Sequence, residues 1–272
     1  MKIWEWLAKN HITDIGELKL MAKKNLFNNV ERLVLKFQNK PPINPEILAK
    51  ERKVIKIEKL DMETDGMLIP CKGGFIMKIN NGLPLVRQRF ACAHEIGHTY
   101  FFDLEKDPPV KPYTRSKTRY WIEEGICYEI GRRILLPDFL IKKWIENSKP
   151  PYIDEFTDMM NIFIVSGELL AHRIQDFNSW DTLFIFFQVH GKDAYLYKVL
   201  KSGDLGNIHI GKKGLKVRDP ILHDIIVKAI DKKIIKRENV NISIGKFKGK
   251  VKIGASYIGS YPPKVIAIIK PF

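Results

Sequence analysis

Long apolar runs are missing from this chain. No stretch reaches the ~18 uninterrupted apolar residues that a membrane helix needs, and the opening MKIWEWLAKNHITD is broken by Glu5, Lys9 and Asn10, where a secretory leader would be clean. A soluble, cytoplasmic protein is the expectation. Cysteine is scarce: Cys71, Cys92 and Cys127 are widely spaced and form no C-x-x-C, which argues against both a disulfide framework and a thiolate zinc site. They read as small buried residues. No internal repeat or low-complexity tract interrupts the chain. Acidic residues are also in short supply, 31 against 46 Lys and Arg, for a net charge of +15. Residues 182–272 hold 16 Lys and 2 Arg against 6 acidic residues, so most of the excess sits in the last third. A basic module of this kind suits nucleic acid, an acidic partner or a membrane surface, although lysine-rich surfaces also serve solubility.

What is present is enough apolar material, 45% of 272 residues, to fill two or three packed units. Residues 14–39 place Ile15, Leu18, Met21, Leu26, Val30, Leu33, Val34 and Phe37 mostly at spacings of three and four, which predicts an amphipathic helical region. PPINPE breaks it. A short helix over Pro45–Val54, an alternating strand VIKIEKL and a turn at Asp65-Gly66 follow; MLIPCKGGFIMKINNG then reads as a hairpin. A helix from Val86 to Phe102, a polar loop over 103–118 and a helix from Tyr120 to Leu136, stopped by Pro137, come next. Shorter helices include DEFTDMMNIF and SGELLAHRIQDF, the latter opening on Ser166 and Glu168. From Thr182 the pattern turns to strands, with a helix over Pro220–Lys233. The organisation expected is a helical segment over 1–40, a core with trailing helices over 41–181 and a basic α/β domain over 182–272.

The stretch ACAHEIGHTYFF, residues 91–102, carries the chemistry. Residues four apart share a helix face, so His94 and His98 can aim ring nitrogens at one ion. Glu95, about 100° further round, is too offset to ligate but can reach a water beside the ion, the position of a general base. An H-E-x-x-H pattern alone is only suggestive. A hydrolytic zinc site needs a third protein ligand, and the helix YWIEEGICYEIGRRILLP offers Glu123 and Glu124 near its start. Either can equally be a first-turn acid favoured by the helix dipole. Glu124, Cys127 and Gly131 form a narrow face of small residues that could pack on the His94 helix, while Glu123 lies with Ile126 and Ile130.

The string RQRFACAHEIGHTYFF, followed by EEGICYEIGRRILLPDFL and then FIVSGELLAHRIQDFNSW, resembles the ImmA/IrrE family of zinc metallopeptidases over about residues 41–180. Arg89, Phe90 and Ala93 match the run that precedes the family's HExxH helix, and Pro137 its second-helix ending. Two departures, Tyr128 and the pair Ile130-Gly131, are read as matters of helix packing.

The resemblance implies an α+β fold with a zincin-like core: an HExxH helix, a small hairpin sheet and a helical bundle, joined here to the basic C-terminal domain. It implies Zn2+ held by His94, His98 and, by its offset from Pro137, Glu124; Mn2+ or Fe2+ accept the same donors. Glu95 is then the base of peptide hydrolysis, with the strand FIMKIN as a site for strand addition by substrate. Tyr100, Tyr113, Tyr120 and His172 are candidates to steady the oxyanion. The implied partner is a protein substrate, a helix-turn-helix repressor whose cleavage derepresses stress or mobile-element genes. Residues 1–40 are expected to give one or two helices, too few for a repressor-type DNA-binding domain. Two other readings are a DNA-binding regulator and a toxin–antitoxin component, each with a structural or vestigial metal site.

Overall fold

The structure, a computed structural model, describes residues 15–111, 117–147, 152–205, 208–259 and 262–271. The expected features within 1–14, and Tyr113, lie outside these residues. The fold is mixed α+β and divides into two compact units, one running to Leu140 and including Phe163–Val165, the other comprising Ile141–Ile162 and Ser166–Phe272.

In the first unit, helix α1 (Ile15–Phe37) buries Phe27, Val30 and Val34, which fall on one face at helical spacing. Helix α2 (Pro45–Glu51) starts cleanly: the Asn44 side chain accepts from the Glu46 N–H, and Pro45 occupies a first-turn position where its missing N–H costs nothing. Strands β1 (Val54–Leu60), β2 (Gly66–Cys71) and β3 (Gly74–Asn80) form one sheet in the order β1-β3-β2. The hairpin pairs β2 with β3 antiparallel, but β1 returns parallel on the other side of β3. The strand FIMKIN is therefore central, with both edges occupied. The expectation that substrate adds to it is corrected: the edges of this sheet are β1 and β2.

Helices α3 (Leu85–Thr99) and α4 (Lys117–Leu135) complete this unit. They run antiparallel, as two close approaches show: a Cβ placed on Gly97 would lie 2.8 Å from the Cys127 Cα, and one on Gly131 would lie 3.2 Å from the His94 nitrogen. Small residues at both points let the backbones come together. Arg89, on α3, donates to the carbonyls of Ile43 (2.7 Å), Ile164 (3.2 Å) and Phe163 (3.3 Å), which holds the 163–165 segment in this unit.

Helix α5 (Asp138–Asn147) begins at the division between the units. In the second unit, helices α6 (Ile153–Phe163) and α7 (Gly167–Phe177) precede strands β4 (Thr182–His190) and β5 (Asp193–Ser202), helix α8 (Pro220–Lys232) and strands β6 (Ile234–Ile244), β7 (Phe247–Gly259) and β8 (Lys264–Pro271). The antiparallel sheet has the order β5-β4-β8-β7-β6. On one face Leu183, Ile185, Ile253 and Ala267 pack with Leu222, Ile225 and Ile226 of α8. On the other, Phe156 of α6 meets Phe184 at 5.5 Å, and Gly254 leaves room for Ile153. Strand β4 is buried on both sides, which is why TLFIFFQV is apolar without alternation. This burial also moves the division expected at residue 181: α6 and α7 cover the C-terminal sheet and belong to its unit.

Candidate metal centre

Helix α3 supplies His94, Glu95 and His98, and the antiparallel α4 brings Glu123 and Glu124 alongside. His94 Nε2 lies 3.2 Å from His98 Nε2 and 3.2 Å from a Glu124 carboxylate oxygen; His98 Nε2 is 3.6 Å from the other Glu124 oxygen. One donor atom from each of the three residues falls within 4.8 Å of the others. A tetrahedral zinc ion with bonds of about 2.0–2.1 Å sets its donors about 3.3 Å apart, so the spacing found here fits such an ion. Two nitrogens and a carboxylate oxygen also match the donor set of hydrolytic zinc sites.

Glu123 has a different place. It is wholly buried, and its Oε1 accepts from His98 Nδ1 at 2.6 Å and from the Lys111 ammonium. A carboxylate can only accept, so the His98 proton sits on Nδ1 and the Nε2 lone pair is left for a cation. The adjacent pair Glu123-Glu124 is thus split by the ~100° step of the helix, one carboxylate behind His98 and the other in front of it. Lys111, which the sequence reading did not single out, balances the buried Glu123 charge and lies 5.1 Å over the Phe102 ring.

Glu95 is nearly buried, at 7% exposure. Burial pushes its carboxyl above the usual range, against the pull of His98 and His94. Its carboxylate lies against β2: a Cβ on Gly66 would sit 3.0 Å from Glu95 Cγ and 3.1 Å from Oε1. Gly66 therefore makes the space for the candidate base. Burial also pushes Glu124 up, but the His94 hydrogen bond and the charges of His98 and His94 outweigh it, leaving Glu124 below the usual range.

His94, Glu95, His98 and Glu124 line a cleft of about 480 Å³. One helical turn beyond His94 and Glu124, Phe90 and Tyr128 meet edge-on at 4.8 Å; at the opposite end stand Phe102, Lys111 and Tyr120. Residues Gly66, Met67 and Leu68 of the free β2 edge form part of the wall. Tyr128, read from sequence as a packing position, is a cleft residue with 43% of its surface exposed. Among the oxyanion candidates, Tyr120 lines the cleft; Tyr100 instead stacks on Arg52 at 3.9 Å and is buried enough to raise its pKa, and His172 belongs to the second unit.

No protein-family model matches the chain, and no curated protein does. Among solved structures it is similar to a Mycobacterium tuberculosis transcriptional regulator, with a TM-score of 0.54 at 12% identity over 91% of this chain and 76% of that one. At that identity the likeness is one of fold alone.

Proposed function

We propose that the chain is a zinc-dependent endopeptidase of the ImmA/IrrE kind, with a zincin-like core in its first unit. The observation that carries this reading is the mutual spacing of the His94, His98 and Glu124 donors, each 3.2 to 3.6 Å from the next, with Glu95 one residue from His94. A divalent ion held by His94, His98 and Glu124 would polarise the carbonyl as a Lewis acid and lower the pKa of water towards neutrality.

The chain's own residues do the rest. Glu123 and Lys111 hold the His98 ring in one orientation and tautomer. An extended peptide can add to the free edge of β2, which sets its scissile carbonyl beside the His pair. Glu95 takes a proton from the attacking water as the water oxygen bonds to the carbonyl carbon, then delivers that proton to the amide nitrogen as the C–N bond breaks. A carboxyl whose pKa is raised by burial is suited to hold the proton between the two steps. Of the residues considered for the carbonyl oxygen, Tyr120 is the one that lines the cleft. The family resemblance supplies the substrate class, a helix-turn-helix repressor.

The test is to incubate the zinc-loaded chain with the regulator encoded beside its gene and to identify fragments by mass spectrometry. Cleavage should stop with chelator and in Glu95→Gln, which keeps its zinc. Cleavage that survives either treatment would overturn the proposal.

A further inference from the structure

The second unit carries its positive charge unevenly. Helix α8, on one face of the sheet, has Asp224 and Asp231 against Lys228 and Lys232, and Lys228 is paired with Asp224 at 2.8 Å. On β7, Val251, Ile253 and Ala255 point into the core beneath α8, so the alternate residues Lys248, Lys250 and Lys252 occupy the opposite face. Register extends this row across three strands: Lys248 faces Ser243, Lys250 faces Asn241, and Lys252 faces Lys270. With Lys246 at the β6–β7 turn, residues 246–252 hold four lysines and no acidic residue. Lys246, Lys248 and Lys250 make no ion pair among the described residues, whereas Lys252 pairs with Glu238 and Lys236 with Asp154.

Two features set this apart from an ordinary solvated surface. Like charges directly opposite on adjacent strands are destabilising, yet Lys252 and Lys270 are such a pair. Their ammonium groups and that of Lys236 all converge on the Tyr152 ring, at 4.5, 5.9 and 5.3 Å. Burial, and after it Lys252, lowers the Lys270 pKa against the opposing pull of Glu155. An anion at this row would relieve the repulsion.

We infer that the β7 lysine row, Lys248, Lys250 and Lys252 with Lys246 and Lys270, binds the phosphate backbone of duplex nucleic acid. Alternate residues on a strand lie about 6.7 Å apart, a step comparable to that between successive phosphates. The flanking Asn241 and Ser243 are further hydrogen-bonding groups for phosphate oxygens. A membrane surface is a poorer match, because none of the exposed large apolar side chains lies between residues 241 and 252. A single strand is poorer too, since base stacking needs an open ring and Tyr152 is already covered by three ammonium groups. The contact reads backbone and not sequence.

The experiment is fluorescence anisotropy of a labelled mixed-sequence DNA duplex with the full chain across a salt series. Changing Lys248 and Lys250 together to Glu should reduce the slope of log K against log salt by about 1.8, for two phosphates lost. A control with the same charge change elsewhere, Lys212→Glu with Lys228→Glu, should keep the slope. Should the Glu pair unfold the unit, Lys248→Gln with Lys250→Gln should give the same loss of slope. Equal losses in row and control, no duplex binding at low salt, or tighter binding to single-stranded DNA, poly-glutamate or phosphatidylserine vesicles would each overturn the inference.

Discussion

Replacing Gly97 by Ala probes the contact on which the candidate centre depends. The new methyl would stand 2.8 Å from the Cys127 Cα, 3.0 Å from its Cβ and 3.2 Å from its carbonyl oxygen. Ordinary carbon contacts begin near 3.5 Å, so α3 and α4 must part by about 0.7 Å. The obstacle is backbone, which cannot swing aside as a side-chain tip would, so the cost belongs near the upper end for overpacking, about 3 kcal/mol. Alanine's better helix propensity returns about 1 kcal/mol, leaving a net loss of about 2 kcal/mol. For a unit of this size that is a fall of roughly 4–8 °C in melting temperature. The same displacement carries Glu124 away from His94 and His98 by more than the ~0.2 Å tolerance of a metal site. Zinc affinity, read by competition with a chromophoric chelator, should drop at least about tenfold. Gly125, on α4, has nothing within 4 Å of its added Cβ, and Gly125→Ala should stabilise by up to about 1 kcal/mol with affinity unchanged. Wild-type melting and wild-type zinc affinity in Gly97→Ala would refute the close-contact reasoning.

Two further outcomes are expected. Glu124→Ala should nearly abolish zinc binding, whereas Glu123→Ala should weaken it about 10- to 100-fold, because all three donors remain but His98 loses its orienting partner; the reverse order in zinc titration would exchange the two roles. A thiol-reactive dye should label Cys71 in the folded protein while Cys92, buried and with its pKa pushed up to about 12, and the buried Cys127 stay unmodified until denaturant is added. Three thiols reacting at one rate in the native state would contradict that burial.

Much of this molecule is legible along the chain. Periodicity and capping locate the helices to within a few residues, as with Asn44 before α2 and Ser166 before α7, because these signals are local and a helix satisfies its own backbone. The four-residue step from His94 to His98 likewise puts both rings on one face whatever surrounds them. The small face Cys127–Gly131 is visible in sequence and is the surface on which α3 lies. Other features depend on residues far apart in sequence. Glu123 and Glu124 are chemically alike neighbours; what separates them is the rotation of α4 against α3, set by the approach of Gly97 to Cys127, and that places one behind His98 with Lys111 and the other in front. Strand β3 is central because β1 pairs with it in parallel, a contact that hairpin signals cannot report. Tyr128 faces the cleft because Phe90, 38 positions earlier, stands opposite it. Helices α6 and α7 join the C-terminal unit because the strands that bury them come later in the chain. Local pattern thus determined which elements form and which residues share a face; only tertiary packing decided which faces meet, since that choice is made by burial and backbone approach between segments the sequence leaves apart.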